Sequence, residues 1–285
     1  MSNYAIGDLK PETNLCSLNS EGSVIHLTLT REDVYNALNI ELISEIISVL
    51  DWTRDRSIGE RGTLEDSTGA PFLRVLVLSG AGKHFCAGAD INMMRDAGAK
   101  SAEENRQDSE RLNRLFNSLW SHPCFTIGKI EGVALGGGAG LIACLDHVIL
   151  EPSAQIALSE GKLGILPAVI GPYVYRKVGS AQFRRLAMLA GRIGAEEALR
   201  IGLVNQISKS LEGAETSVIA EVLTTGPMAV AEAKKLTLTF DRWMGTDEEL
   251  RTWTLDKTSA MRGSEEGQEG LSSFLEKRPP NWKEE

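Results

Sequence analysis

Long apolar runs, paired cysteines and an excess of positive charge are missing from this 285-residue chain, and each absence removes a class of function. No stretch approaches the roughly 20 consecutive apolar residues that a membrane-crossing helix needs, so no membrane role is expected. Cys16, Cys86, Cys124 and Cys144 stand apart without CxxC spacing, which speaks against a disulfide framework or a thiolate metal site. Reduced thiols in a cytoplasmic protein is the plain reading. Met1 to Pro11 hold no charged segment followed by an apolar core, so no secretory leader is expected. Basic residues number 30 against 39 acidic ones, for a net charge of −9. Nucleic-acid binding needs a basic face that displaces counterions, and this balance argues against a broad one. Net charge is a sum, however, and leaves room for a local cationic patch facing one anionic ligand. Aromatic residues are sparse at 6%, while 42% hydrophobic and 24% charged residues are ordinary for a globular protein. The length allows a substantial core, as one large domain or a domain with an appendage.

Hydrophobic periodicity gives the organisation. Val24 to Thr30 alternates and is rich in branched residues, predicting a strand. Leu38 to Leu50 has helical spacing, and the polar stretch Asp51 to Ala70 reads as a surface loop or helix extension. Leu73 to Leu78 is an almost continuous apolar run, as in a strand buried on both faces. Ser101 to Leu119 reads as helix, and Cys124 to Ile130, Val148 to Glu151 and Ile156 to Leu158 as strands. This rhythm predicts a layered α/β core. Helical spacing then dominates in Ala181 to Gly191, Ala195 to Ile201, Met228 to Trp243 and Ser264 to Leu275. The expected division is an α/β core over residues 1–206 and a helical region over 207–285.

Two nucleotide motifs fail on inspection. Gly82-Lys83 has His84 where a phosphate loop needs Ser or Thr, and Val77 where it needs its first Gly. Gly136-Gly137-Gly138 would need a further Gly where Leu141 stands to make a dinucleotide fingerprint. More informative are two small-residue loops, Phe85 to Asp90 and Ala134 to Gly138, each after an expected buried strand and before a helix. Minimal side chains let a ligand approach backbone N–H groups, and N–H groups at a helix start feel its positive dipole end. Two such loops can converge on one oxygen and stabilise negative charge there. The same glycines also suit tight turns or close helix packing, and from one loop alone both readings stay open.

The segments GKHFCAGADINMM (Gly82 to Met94) and KIEGVALGGGAGLIACLD (Lys129 to Asp146) resemble the enoyl-CoA hydratase/isomerase, or crotonase, superfamily. The likeness continues through Leu158 to Gly179, Ala190 to Ile207 and Glu265 to Trp282, covering nearly all the chain beyond about residue 20. It implies a spiral α/β core of repeated ββα units with a helical C-terminal region. It places the oxyanion-hole N–H groups on Ala89 and Gly137, where they would grip a thioester carbonyl as it becomes an enolate. Ala87, Asp90, Ile91 and Gly136 would lie along the coenzyme A arm, although Asp90 equally suits a helix N-cap. Two-glutamate hydratases of the family carry one catalytic carboxylate where this chain has Gly140; the second matches Glu160. Asp146 and Glu131 read as structural and surface residues, and none of the four histidines stands in a nucleophile–His–acid order.

The resemblance implies hydration of an enoyl-CoA with Glu160 as acid and base. Ile165 to Pro172 looks like the single-glutamate branch acting on 3-methylglutaconyl-CoA and isohexenylglutaconyl-CoA, in leucine or acyclic-terpene breakdown. An enoyl-CoA isomerase, which needs only one base, is the rival. A thioester hydrolase is third, since its usual acidic residue is Ala168 here. A noncatalytic acyl-CoA-binding or RNA-binding module is the alternative of another class; the charge speaks against RNA and Glu160 against a dead enzyme. No separate cofactor is implied, because coenzyme A belongs to the substrate. A homotrimer or dimer of trimers is implied, with Phe274 and Lys277 reaching coenzyme A, from a neighbouring subunit in one arrangement.

Overall fold

The computed structural model describes residues 10–59 and 63–283. Its first elements are an antiparallel pair, β1 (Cys16–Glu21) and β2 (Val24–Leu29). β2 is the strand expected from alternation. β1 escaped the sequence because only Cys16 and Leu18 face the core, as suits an edge strand. Helix α1 (Ile40–Asp55) starts later than Leu38 because Asn39 caps it, accepting from the Leu42 N–H at 2.9 Å. It also runs past Leu50, with Thr53 buried against His122. Residues 60–62 of the expected loop lie outside the described residues.

Strand β3 (Val75–Gly80), helices α2 (Ile91–Gly98) and α3 (Ala102–Trp120), and strands β4 (Phe125–Ile130) and β5 (Val133–Leu135) follow. After them come α4 (Gly137–Cys144), β6 (His147–Leu150) and β7 (Gln155–Ala157). Helix α5 (Gly171–Leu189) begins ten residues before the expected Ala181, interrupted by a non-helical Gly179 at φ +73°. Then follow β8 (Ile193–Gly194), α6 (Ala195–Arg200), β9 (Gln206–Ile207), α7 (Leu211–Thr224), α8 (Pro227–Asp241), α9 (Asp247–Gly263) and α10 (Glu265–Glu276). Helix α2 is the one expected after the Phe85 to Asp90 loop, whereas α7 and α9 were not read from the sequence.

The main sheet runs β1-β2-β3-β4-β6-β9, parallel apart from its first pair. A small sheet runs β5-β7-β8. β3 shows why an unbroken apolar run was needed. Leu76 and Leu78 point into the main core, while Val75 and Val77 meet Leu211, Ala214 and Val222 of α7. Residues beyond 206 are therefore packed on the sheet, and β9 itself pairs with β6.

The chain repeats one unit: a main-sheet strand, a short small-sheet strand, then a helix. β4–β5–α4 is one copy and β6–β7–α5 another. In the first copy, after β3, the small-sheet strand shrinks to Cys86, which bridges Ala134 in parallel. This is the spiral ββα core expected. It brings the loop after Cys86 and the loop after β5 side by side.

Candidate active site

The two loops are locked together by backbone. Ala87 N donates to the Tyr35 carbonyl at 2.9 Å, Leu38 N to the Gly88 carbonyl at 2.8 Å, and Asp90 N to the Leu38 carbonyl at 2.9 Å. On the second loop Leu135 N donates to the Cys86 carbonyl at 3.0 Å and Gly136 N to the Ala157 carbonyl at 2.8 Å. Gly88 sits at φ +96°, and a Cβ there would stand 2.7 Å from the Leu135 carbonyl oxygen, so only glycine fits. A Cβ added at Gly137 would lie 3.6 Å from the Ala89 nitrogen, which measures how closely the loops approach. Each loop ends at a helix start: Gly137 is the first residue of α4, and Asp90 caps α2. Among the described residues no acceptor takes the N–H of Ala89 or of Gly137.

Glu160 lies in a 3-10 turn, Ser159–Leu163, that follows β7. Its Oε1 is 3.1 Å from where a Cβ on Gly136 would be, so the carboxyl rests over the second loop. Its Oε2 is buried with no hydrogen-bond partner. Burial raises its pKa above the ordinary 4.5. The Gly140 position has no room for a second carboxylate. A Cβ there would lie 2.9 Å from Ile170 Cβ and 3.0 Å from Phe116 Cε1, inside real contact distance.

Two cavity lobes of about 300 and 370 Å³ meet at Ala89, Gly137 and Glu160, with Met94 and Ile165 also shared. Ala87, Asp90, Ile91 and Gly136 line the smaller lobe. The larger is walled by Met93, Leu112, Phe116 and the run from Ile165 to Ile170. Seven of the nine residues singled out from sequence therefore gather at one place. Phe274 and Lys277 do not: Phe274 is 83% exposed, Lys277 follows α10, and neither lines a lobe of this chain.

Asp90 fulfils its capping alternative, with Oδ1 accepting from the Asn92 N–H at 3.0 Å and Oδ2 3.2 Å from Arg31. Asp146 is held by Thr126, whose N–H and hydroxyl both donate to it, and by Lys234. Glu131 is exposed. His122 is buried against the Thr53 hydroxyl and His84 stands edge-on to Tyr35, outside both lobes.

Sequence reasoning missed the segment that shapes the first loop. Tyr35 and Asn36 are consecutive non-glycine residues in the left-handed region, at φ 54° and 56°. The buried Asn36 side chain donates to the carbonyls of Ala81 at 2.9 Å and His84 at 2.8 Å, and Arg31 donates to the Ala37 carbonyl. Asn tolerates this backbone better than most residues, a signal the sequence did carry. The α3 wall was also missed, although Asn105, Ser109, Leu112 and Phe116 recur at helical spacing.

Residues 19–285 match the family model described as enoyl-CoA hydratase/isomerase. A putative enoyl-CoA hydratase of Thermus thermophilus is 33% identical over 222 residues, covering 77% of this chain and 87% of that protein. A carnitinyl-CoA dehydratase of Escherichia coli K12 is 30% identical over 273 residues, covering 93% and 97%. The crystal structure of an enoyl-CoA hydratase from Shewanella pealeana superposes with a TM-score of 0.86 at 35% identity, covering 94% of this chain and 96% of that one. With its fold, its paired loops and its matched length in agreement, this chain belongs to the enoyl-CoA hydratase/isomerase family.

Proposed function

We propose that this protein hydrates an enoyl-CoA thioester, with Glu160 as its single acid–base group. The observation that carries the reading is the buried, unpartnered Oε2 of Glu160 beside two unpartnered N–H groups on a shared cavity. The thioester carbonyl lies between the N–H groups of Ala89 and Gly137. Glu160 takes a proton from water, the hydroxide oxygen bonds to the β carbon, and the double-bond electrons move onto the carbonyl oxygen as an enolate. The two N–H groups hold that oxygen, and Glu160 returns its proton to the α carbon, so atoms and charge balance. The raised pKa of Glu160 suits a carboxyl that must both accept and return a proton.

Ala87, Asp90, Ile91 and Gly136 flank the coenzyme A arm in the smaller lobe, and the acyl chain occupies the larger one. The acyl group is of the branched glutaconyl type, the single-glutamate pattern at Glu160 and Gly140 being its support. Coenzyme A arrives as part of the substrate, and the protein acts in the cytoplasm. Residues 207–285 supply the association surface of a homotrimer or dimer of trimers, where Phe274 and Lys277 of one subunit approach the coenzyme A of another.

Isomerisation is the second reading, favoured by one observation: Ile170 and Phe116 fill the space of a second carboxylate at Gly140. One base can remove a proton at one carbon and return it at another. Linear and glutaconyl-type enoyl-CoAs, incubated with the protein and resolved by mass, separate the two. Hydration adds the mass of one water; a shifted double bond at unchanged mass would overturn it in favour of isomerisation.

A further inference from the structure

Oxidisable sulfur is unevenly placed in this chain. All four cysteines are buried. Burial pushes the pKa of the Cys16, Cys86 and Cys124 thiols up to about 12 and that of Cys144 well above its ordinary 9.0. The thiolate is the reactive form, so none of the four answers readily to an oxidant, Cys86 of the first loop included. A methionine thioether needs no deprotonation to be oxidised. Met93 and Met94 are consecutive in the first turn of α2, directly after the Ala89 loop. The Met94 N–H donates to the Asp90 carbonyl at 3.0 Å. Met94 lines both cavity lobes, and Met93 lines the larger one while also packing against the main core. Both side chains are half-buried, and no residue of α2 is fully buried, so the helix that carries them is open to a small oxidant. Met188, Met228, Met244 and Met261 line neither lobe.

We propose that Met93 and Met94 form an oxidation site through which a hydroperoxide closes the cavity to acyl thioesters, given the reading that acyl-CoA occupies the two lobes. A sulfur lone pair attacks the outer oxygen of the hydroperoxide, and the S–O bond forms as the O–O bond breaks. The departing oxygen takes up the proton of the transferred one. Hydrogen peroxide thus leaves as water, reduced by the two electrons that sulfur gives up. The product is methionine sulfoxide, with a polar oxygen and a new chiral centre where a flexible apolar side chain lay. Water solvates that oxygen in the empty cavity. An acyl chain packed against it strips the water without replacing the hydrogen bond, and binding weakens.

Calorimetric titration of butyryl-CoA into the full-length protein, before and after hydrogen peroxide, tests this, with oxygen uptake mapped on peptides by mass. Affinity should fall at least about fivefold in step with oxygen uptake at Met93 and Met94. Saturating butyryl-CoA should slow that uptake at least about fivefold by occupying the cavity, and leave uptake at the 74% exposed Met188 unchanged. Each protein is its own reference, so the starting affinity of a variant does not matter. The double variant Met93→Leu, Met94→Leu, a nearly volume-conserving change, should keep its starting affinity within about twofold after the same treatment. Unchanged affinity in protein oxidised at both methionines would overturn the oxidation site. So would an equal loss in the double variant, or uptake at Met93 and Met94 that is absent or indifferent to butyryl-CoA. All of these leave the acyl-thioester reading standing. Untreated protein that binds no butyryl-CoA would instead remove that reading, and the oxidation site with it.

Discussion

At the scale of a single residue, the proposed mechanism turns on Glu160. Gly140 offers no room for a second carboxylate, so in that proposal the proton work falls to one side chain. Glu160→Gln keeps the shape and removes the base. Turnover should fall at least about a hundredfold, the lower end for a general acid–base group, while binding of acyl-CoA stays near that of the parent. Full activity in this variant would end the single-glutamate reading. The variant also reports on stability through its pH dependence. Burial raises the carboxyl pKa above 4.5, so the fold favours the protonated form. The stability it supports is complete below 4.5 and is lost as pH rises through the higher folded value. An amide cannot ionise, so Glu160→Gln should melt above the parent at about pH 7 and level with it at about pH 4. A melting-temperature gap that does not widen with pH would contradict the burial argument. Gly140 invites the opposite experiment. Adding a carboxylate there does not restore a two-glutamate enzyme, because Ile170 and Phe116 occupy the space. Even Gly140→Ala should cost about 1–3 kcal/mol in chemical denaturation, the usual scale for overpacking a close-fitted core.

Among the elements, legibility followed burial. β3 was visible because a strand covered on both faces leaves an almost continuous apolar run. β1 was hidden because only Cys16 and Leu18 are buried, and α9 because none of its residues is buried, leaving no apolar stripe to read. The turn at Tyr35 and Asn36 was missed too, although it holds the residues on both sides of Ala89. Its three backbone bonds to Ala87, Gly88 and Asp90 act as a splint, and Asn36 holds the splint in its left-handed form. Asn36→Gly keeps that backbone accessible but leaves the Ala81 and His84 carbonyls without their donor. An unsatisfied buried acceptor costs about 1–3 kcal/mol, so some loss of stability is expected. The informative outcome is a kcat that falls at least about tenfold while acyl-CoA affinity barely changes, since a misplaced oxyanion donor weakens the transition state selectively. Parallel changes in both would make Asn36 a purely structural residue.

For the whole molecule, the C-terminal region leaves apolar side chains exposed. Met244 is 98% exposed, Phe274 83% and Leu275 78%, and Phe240 is half exposed. Apolar groups left this exposed are what the proposed assembly would cover. Light scattering at micromolar concentration should give three or six times the 30.9 kDa chain mass. A monomer at that concentration would refute the assembly and, with it, any approach of Phe274 and Lys277 to a neighbour's ligand.

The sequence by itself determined the family, the two small-residue loops, Glu160 and the missing carboxylate at Gly140. Those features are local: glycine freedom, helix starts and motif order act over a few residues and leave their mark in the string. Tertiary structure alone decided that Ile170 and Phe116 fill the place of the absent side chain, and that the 31–38 segment aims the first loop. It also decided that the larger lobe is walled by Met93, Phe116 and Ile165 together. Each of these joins residues dozens of positions apart. Only packing brings them within a few ångströms, and no local pattern records where a distant side chain will come to rest.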